Sequence, residues 1–137
     1  MKKTLLFAGA ALALILTSCA PAKKNYIIAT GGTGGTYYPF GGAIANIWNT
    51  KVENMNVTAQ ATGASAENLR LISKGDVEFA TVQNDVMDYA YNGTDMFEGN
   101  KLPNLASVGT MYPEVIQIAA SANSGIKSIH DLRGKRV

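Results

Sequence analysis

Three short β-prone runs alternate with two amphipathic stretches between residues 26 and 82, and no other feature limits the fold of this chain so strongly. Residues 26–30 (YIIAT) are apolar and stopped by glycine. Residues 56–62 (NVTAQAT) set Val57, Ala59 and Ala61 against polar neighbours, and residues 77–82 (VEFATV) form the third run. Between the first two, residues 38–52 place Phe40, Ala43, Ile44, Ile47, Trp48 and Val52 three and four apart. That spacing predicts a helix with one buried face, and Pro39 suits its first turn, where a missing N–H costs nothing. In "GASAENLRLISKGD", Ser65 is the expected N-cap, Leu69 and Ile72 the apolar face and Gly75 the stop. Strands joined through helices by short connections run parallel. The expected fold class is therefore α/β, an open and mostly parallel sheet with flanking helices. Further along, Asp85 is expected to cap a short helix that Gly93 ends. Residues 94–104 are expected to form a polar loop. Residues 105–111 and 115–120 read as two more β-prone runs on either side of Tyr112-Pro113.

The link between the first run and the first helix, "IATGGTGGTYYPF", has four glycines in five positions. It is neither of two familiar nucleotide loops. A phosphate loop of the G-x-x-x-x-G-K-[ST] type needs glycine where Thr36 stands, and no lysine occurs before Lys51. The dinucleotide pattern G-x-G-x-x-G, begun at Gly32, ends on Tyr37. What remains is the physics those motifs share: bare backbone N–H groups ahead of a helix N-terminus favour an anion. With no lysine or arginine in the loop, a carboxylate fits better than a triphosphate, and Thr33 and Thr36 add hydroxyl donors. The plainer alternative is a tight turn with close packing, although four glycines are more than a turn needs.

In an open parallel sheet the loops after the strands share one edge, where ligands bind. That edge would collect Gly31 to Tyr37 after the first strand, Gly63, Ala64 and Ser65 after the second, and Gln83, Asn84 and Asp85 after the third. Hydroxyls, amides and one carboxylate suit a polar, zwitterionic or acidic small molecule. Taken singly, Ser65 and Asp85 are also explained as helix caps.

The chain opens Met1-Lys2-Lys3, continues with an apolar run to Leu16 and reaches Leu16-Thr17-Ser18-Cys19. This is the order of a secretory signal, too short for a membrane-spanning helix. Its exit resembles the bacterial lipobox, in which the cysteine is lipidated and becomes the first residue; a plain signal peptide with a chance cysteine is the alternative. Residues 1–18 are thus expected to be a lipoprotein signal, 19–25 a tether and 26–137 the first ligand-binding lobe. Cys19 is the single cysteine, so no intramolecular disulfide can form. Removing the signal takes Lys2 and Lys3 with it, and the small positive excess of the whole chain, +2, falls to about zero. That balance gives no reason to expect a nucleic-acid partner.

The stretches "ATGGTGGTYYPFGGAIANIWN", "VTAQATGASAENLRLISKGDVEFATVQND" and "YPEVIQIAASANSGIKSIHDLRGKRV" together resemble the TAXI branch of the extracytoplasmic receptors of tripartite ATP-independent periplasmic (TRAP) transporters. The resemblance spans nearly all of the chain after the tether. It implies a two-lobed type II periplasmic-binding-protein fold that captures a small organic acid or an amino acid such as glutamate. It further implies delivery of that ligand to TRAP permease membrane subunits. The matching positions are Gly34, Thr36, Tyr37, Ser65, Gln83, Asn84 and Asp85, with Tyr112 a further candidate. The second lobe that would close the cleft is absent from this sequence, and "GKRV" is where the crossing into it begins in the family. A lipobox-type signal is a variation on the plain signal peptide of many relatives.

An enzyme would need a nucleophile with a base, or a metal. Cys19 is assigned to lipid, His130 is the only histidine, and neither a catalytic pair nor a ligand set with metal spacing is visible. No cofactor is expected. The alternative function is a lipid-anchored surface antigen or adhesin with no small ligand. The compartment has a direct test. Metabolic labelling with a palmitate analogue should mark the wild-type protein and not Cys19→Ser; equal labelling of both removes the lipobox assignment.

Overall fold

The computed structural model describes residues 22–136; the signal segment and Cys19 lie outside the described residues. Within them the chain divides into two compact units, with the boundary between Ala106 and Ser107.

The first unit is a three-layer α/β arrangement in miniature. Strand β1 (Lys24–Ala29) leads into helix α1 (Tyr37–Lys51), β2 (Met55–Gln60), α2 (Ser65–Lys74), β3 (Phe79–Ala80) and α3 (Asn84–Asn92). The strand order is β2-β1-β3 and both pairings are parallel. β1 is paired with β2 along its whole length, Lys24 opposite Met55 through Ala29 opposite Gln60. The apolar run and its alternating partner thus form the strands expected of them.

β3 is shorter than residues 77–82 suggest. It pairs only Phe79 with Ile28 and Ala80 with Ala29. One step earlier, the Ile27 N–H donates to the Glu78 carboxylate at 2.9 Å instead of to a strand carbonyl. A side chain has taken the ladder position, so the regular strand starts late.

α1 lies on the sheet face that carries Tyr26, Ile28, Met55, Val57 and Ala59, with Ala45 buried and Ile44 and Trp48 half-buried against them. The Trp48 and Phe79 rings meet at 4.7 Å between centroids. Of the six apolar positions expected to share a buried face, Phe40, Ala43, Ile47 and Val52 are exposed. The reason is geometric. Gly41 is buried directly on the Thr30 methyl, so the helix approaches through Gly41 and Ala45, and the neighbouring stripe turns outward. Val52 is the extended C-cap, its N–H donating to the Trp48 carbonyl.

A second cluster joins Leu69 of α2, Val86 and Ala90 of α3, and Phe97. Phe97 belongs to a 3₁₀ turn, Asp95–Phe97, inside the segment expected to be only a polar loop. Arg70 stacks on the Phe97 ring at 4.9 Å and donates to the Met96 carbonyl at 3.3 Å. The glycine stops are found as expected: Gly75 and Gly93 are left-handed C-caps.

The β-prone runs at 105–111 and 115–120 are not strands. Leu105 packs on the Leu69 cluster, whereas Val108, Val115, Ile116 and Ile118 are exposed, Ile116 by 89 %. β-propensity measures fit to a pleated, half-buried surface, and among the described residues no strand supplies that surface. In the second unit a 3₁₀ turn, Ile129–Leu132, starts with a capping box between Ser128 and Asp131. The Lys127 N–H, then the Ser128 hydroxyl and N–H, hold the exposed Asp131 carboxyl below its usual range.

The contact between Gly41 and Thr30 sets an expectation. A Cβ at residue 41 would overlap the Thr30 methyl, and Thr30 is wholly buried. Gly41→Ala should lower stability by about 1–3 kcal/mol despite the better helix propensity of alanine. Urea denaturation checks this, and an unchanged midpoint would mean that α1 can move off the sheet.

Candidate functional site

Three parallel strands deliver three loops to one edge. The order β2-β1-β3 has a consequence beyond that: the chain leaves β1 toward β2 and returns across it to β3. The switch in direction lies between β1 and β3, where a crevice opens in sheets of this kind. The loop after β1, residues 31–36, and the loop after β3, residues 81–83, are its two sides.

Stitching between the loops is polar and dense. The Thr62 N–H donates to the Gly31 carbonyl at 3.3 Å. The Gln83 N–H donates to Ser65 Oγ at 3.0 Å. Ser65 is buried, and it is the first helical residue of α2, not the cap. The N-cap position belongs to Ala64, because the Ser65 hydroxyl faces the β3 loop. Asp85 is likewise inside its helix, where Gln83 holds the cap position; Asp85 Oδ1 accepts the Val86 N–H at 2.8 Å. Both cap expectations are therefore corrected.

The starts of α1, α2 and α3 share a property. None has a hydrogen bond from its N-cap side chain to the first turn. Glu67 instead takes the Gly63 N–H ahead of α2 at 2.6 Å, and Asp85 lies in the first turn of α3. The first turn of α1 has no acidic residue. The positive end of α1 is thus the one without a carboxylate of its own in the first turn.

The glycine loop explains itself only in part. None of Gly31, Gly32, Gly34 and Gly35 adopts the left-handed region, so backbone conformation does not demand glycine. Packing asks for it at Gly31, where a Cβ would lie 3.3 Å from Tyr37 Cβ and 3.7 Å from Ala64 Cβ. At Gly32 and Gly34 a Cβ would meet nothing within 4 Å. Bare backbone facing open space is what the close approach of a ligand requires.

Gly34, Thr36, Gln83, Asn84 and Asp85 are exposed at this edge, and Tyr37 is half-buried with its Cβ beside Gly31. A shallow depression of about 470 Å³ on the outer flank of the glycine loop is lined by Gly34, Gly35, Thr36, Pro39, Phe40 and Ala43. It joins Gly34 and Thr36 but not Ser65, Gln83, Asn84 or Asp85. Tyr112 lies in the second unit, where it is half-buried. Among the described residues no group of three or more His, Cys, Asp or Glu side chains could hold a metal ion. No helix among them is long and apolar enough to cross a membrane.

One residue on this edge is strained. Ala64 has φ 69° and ψ −151°, a region almost reserved for glycine and costing about 1–3 kcal/mol. It is the turn that lets the Ala64 carbonyl accept the Asn68 N–H at 2.9 Å while its own N–H donates to the Thr62 hydroxyl at 3.1 Å. Ala64→Gly should stabilise the chain by about 1 kcal/mol, the relief of strain exceeding the added freedom of the unfolded chain. A lowered thermal midpoint would contradict that strain.

The profile of one protein family matches residues 28–137, from near the end of β1 to the last residue. An open parallel sheet with flanking helices accords with that match, and the chain belongs to the NMT1-like family, a family of periplasmic solute-binding proteins.

Proposed function

We propose that this chain is the ligand-binding lobe of an extracytoplasmic receptor of a TRAP transporter, of the TAXI kind, that captures a small carboxylate or amino acid such as glutamate for uptake. It binds and carries; it is not an enzyme. Cys19 anchors it to the membrane, and TRAP permease subunits take the ligand from it. The observation that supports this reading most is the unfilled backbone at Gly32 and Gly34, ahead of α1, which unlike α2 and α3 has no acidic residue in its first turn.

The roles divide by charge. The ligand carboxylate sits at the start of α1, held by the backbone around Gly34 and by the Thr36 hydroxyl, with Tyr37 as a flat wall. Across the crevice, Gln83 and Asn84 offer amides, and Asp85 accepts the ligand amine. Ser65 holds the Gln83 backbone in place through the bond described above.

Chemical-shift titration of the chain by NMR tests this at any affinity down to the millimolar range. Glutamate should shift the amides of Gly32, Gly34, Thr36, Gln83 and Asn84, whereas equal concentrations of glucose or choline should not. Shifts scattered elsewhere, or none with any small acid or amino acid, would sink the reading in favour of a surface protein without a small ligand. Asp85→Asn should weaken glutamate binding roughly tenfold to a hundredfold, the range for one hydrogen bond to a charged group. A dicarboxylate lacking an amine should not lose affinity, and equal loss for both would remove the amine role of Asp85.

A further inference from the structure

Asn68 is wholly buried at the edge where the three loops meet, although it belongs to a helix whose neighbouring position is the apolar Leu69. One Nδ2 hydrogen goes to the Thr30 carbonyl at 2.6 Å and the other to the Thr81 carbonyl at 2.8 Å. Thr30 is the residue after β1 and Thr81 the residue after β3. Two carbonyls on one side fix which end of the amide faces them. The Oδ1 end accepts the Thr62 hydroxyl at 2.6 Å, and Thr62 stands in the loop after β2. All three ligand-side loops are therefore bonded to one side chain.

We propose that Asn68 is the positioning residue of the binding edge: its amide sets the spacing between the β1 and β3 loops, and so the width of the crevice, with Thr62 fixing the orientation of that amide. The proposal rests on the ligand reading for its effect on binding, but not for its effect on the loops. Beyond the last ladder bond, the Thr81 N–H to the Ala29 carbonyl, the two strands have no regular pairing to hold them together. An amide is the group that suits the task, because it offers two donors and one acceptor without charge. The positions it fixes are the starts of both loops, upstream of Gly34 and Thr36 on one side and of Gln83 and Asn84 on the other.

Asn68→Asp keeps the shape and reverses the logic. An ionised carboxylate would face two carbonyl oxygens, whereas the protonated acid can donate to one of them. Burial holds such an acid protonated to a higher pH than usual. Glu67 and Asp85, the other carboxylates on this edge, are present in the wild type too, which is the control. The readout is amide protection by NMR, corrected for intrinsic exchange. At about pH 8 the Thr62, Thr81 and Gln83 amides of the variant should lose at least about tenfold more protection than those of Val52 and Val57, which report on the α1 side. At about pH 5 the difference should shrink in the variant, and the wild type should show none of it. Glutamate affinity should fall and recover with the loops. If circular dichroism shows that Asn68→Asp is unfolded, Thr62→Val replaces it, because it removes the hydroxyl that orients the amide; Thr62→Ser should return wild-type protection. In whichever variant keeps its fold, equal loss at every reporter makes Asn68 a general stability residue and overturns the proposal. Unchanged loops do the same. A wild-type chain that ignores glutamate refutes the ligand reading, and exchange then decides the role of Asn68 alone.

Discussion

β1 is hydrogen-bonded on both sides by strands running in its own direction, and the architecture of the first unit follows from that double pairing. Parallel neighbours cannot be joined by a hairpin, so each connection is a helix that returns the chain to the starting edge. Every strand consequently ends on the same edge, and every helix begins there. The loops, the positive helix ends and the bare glycines are brought together by topology before any side chain is chosen.

The same arrangement creates a polar problem that the binding edge has to solve. Strand ends in a parallel sheet leave carbonyls that no ladder satisfies, and here Thr30 and Thr81 are buried. Asn68 of α2 takes up both carbonyls, Thr62 of the β2 loop donates in turn to the Asn68 Oδ1, and Thr30 Oγ1 donates to the Gln60 carbonyl at 2.6 Å. The bonds that satisfy the strand ends are also the bonds that hold the loops. The bonds that hold the loops thus lie in the interior, and the outer side of the loops is left exposed.

Packing of α1 on the sheet works through small residues and an aromatic pair on the same face. α1 rests on the sheet at Gly41 and Ala45, and Trp48 then closes on Phe79. α2 and α3 meet around Leu69, Val86, Ala90 and Phe97, a cluster separate from the α1 face. A family of periplasmic solute-binding proteins needs such a fixed platform, because a binding edge that reorganises loses affinity to ordering.

Sequence alone determined the types of the three strands and the three α-helices of the first unit. The runs around Ile28 and Val57 are strands, the spacing at Ile44 and Trp48 is a helix, and Gly75 and Gly93 end helices through a left-handed turn, because these signals are local and depend on periodicity or on a single φ angle. The shared edge was legible as well, since parallel connection fixes it. Tertiary structure decided what depends on a partner distant in the chain. Residues 105–111 and 115–120 have strand composition without a strand, because pairing is not a property of one segment. Phe40 and Ile47 face outward because Thr30 meets α1 at Gly41, a contact no periodicity contains. Ser65 and Asp85 had the composition of caps, yet Ser65 bonds a loop eighteen residues on. Asn68 carried only a faint mark in the sequence, an amide between Ser65 and Leu69 on the buried side of α2. Its role became visible once the fold brought the carbonyls of Thr30 and Thr81 to its two hydrogens.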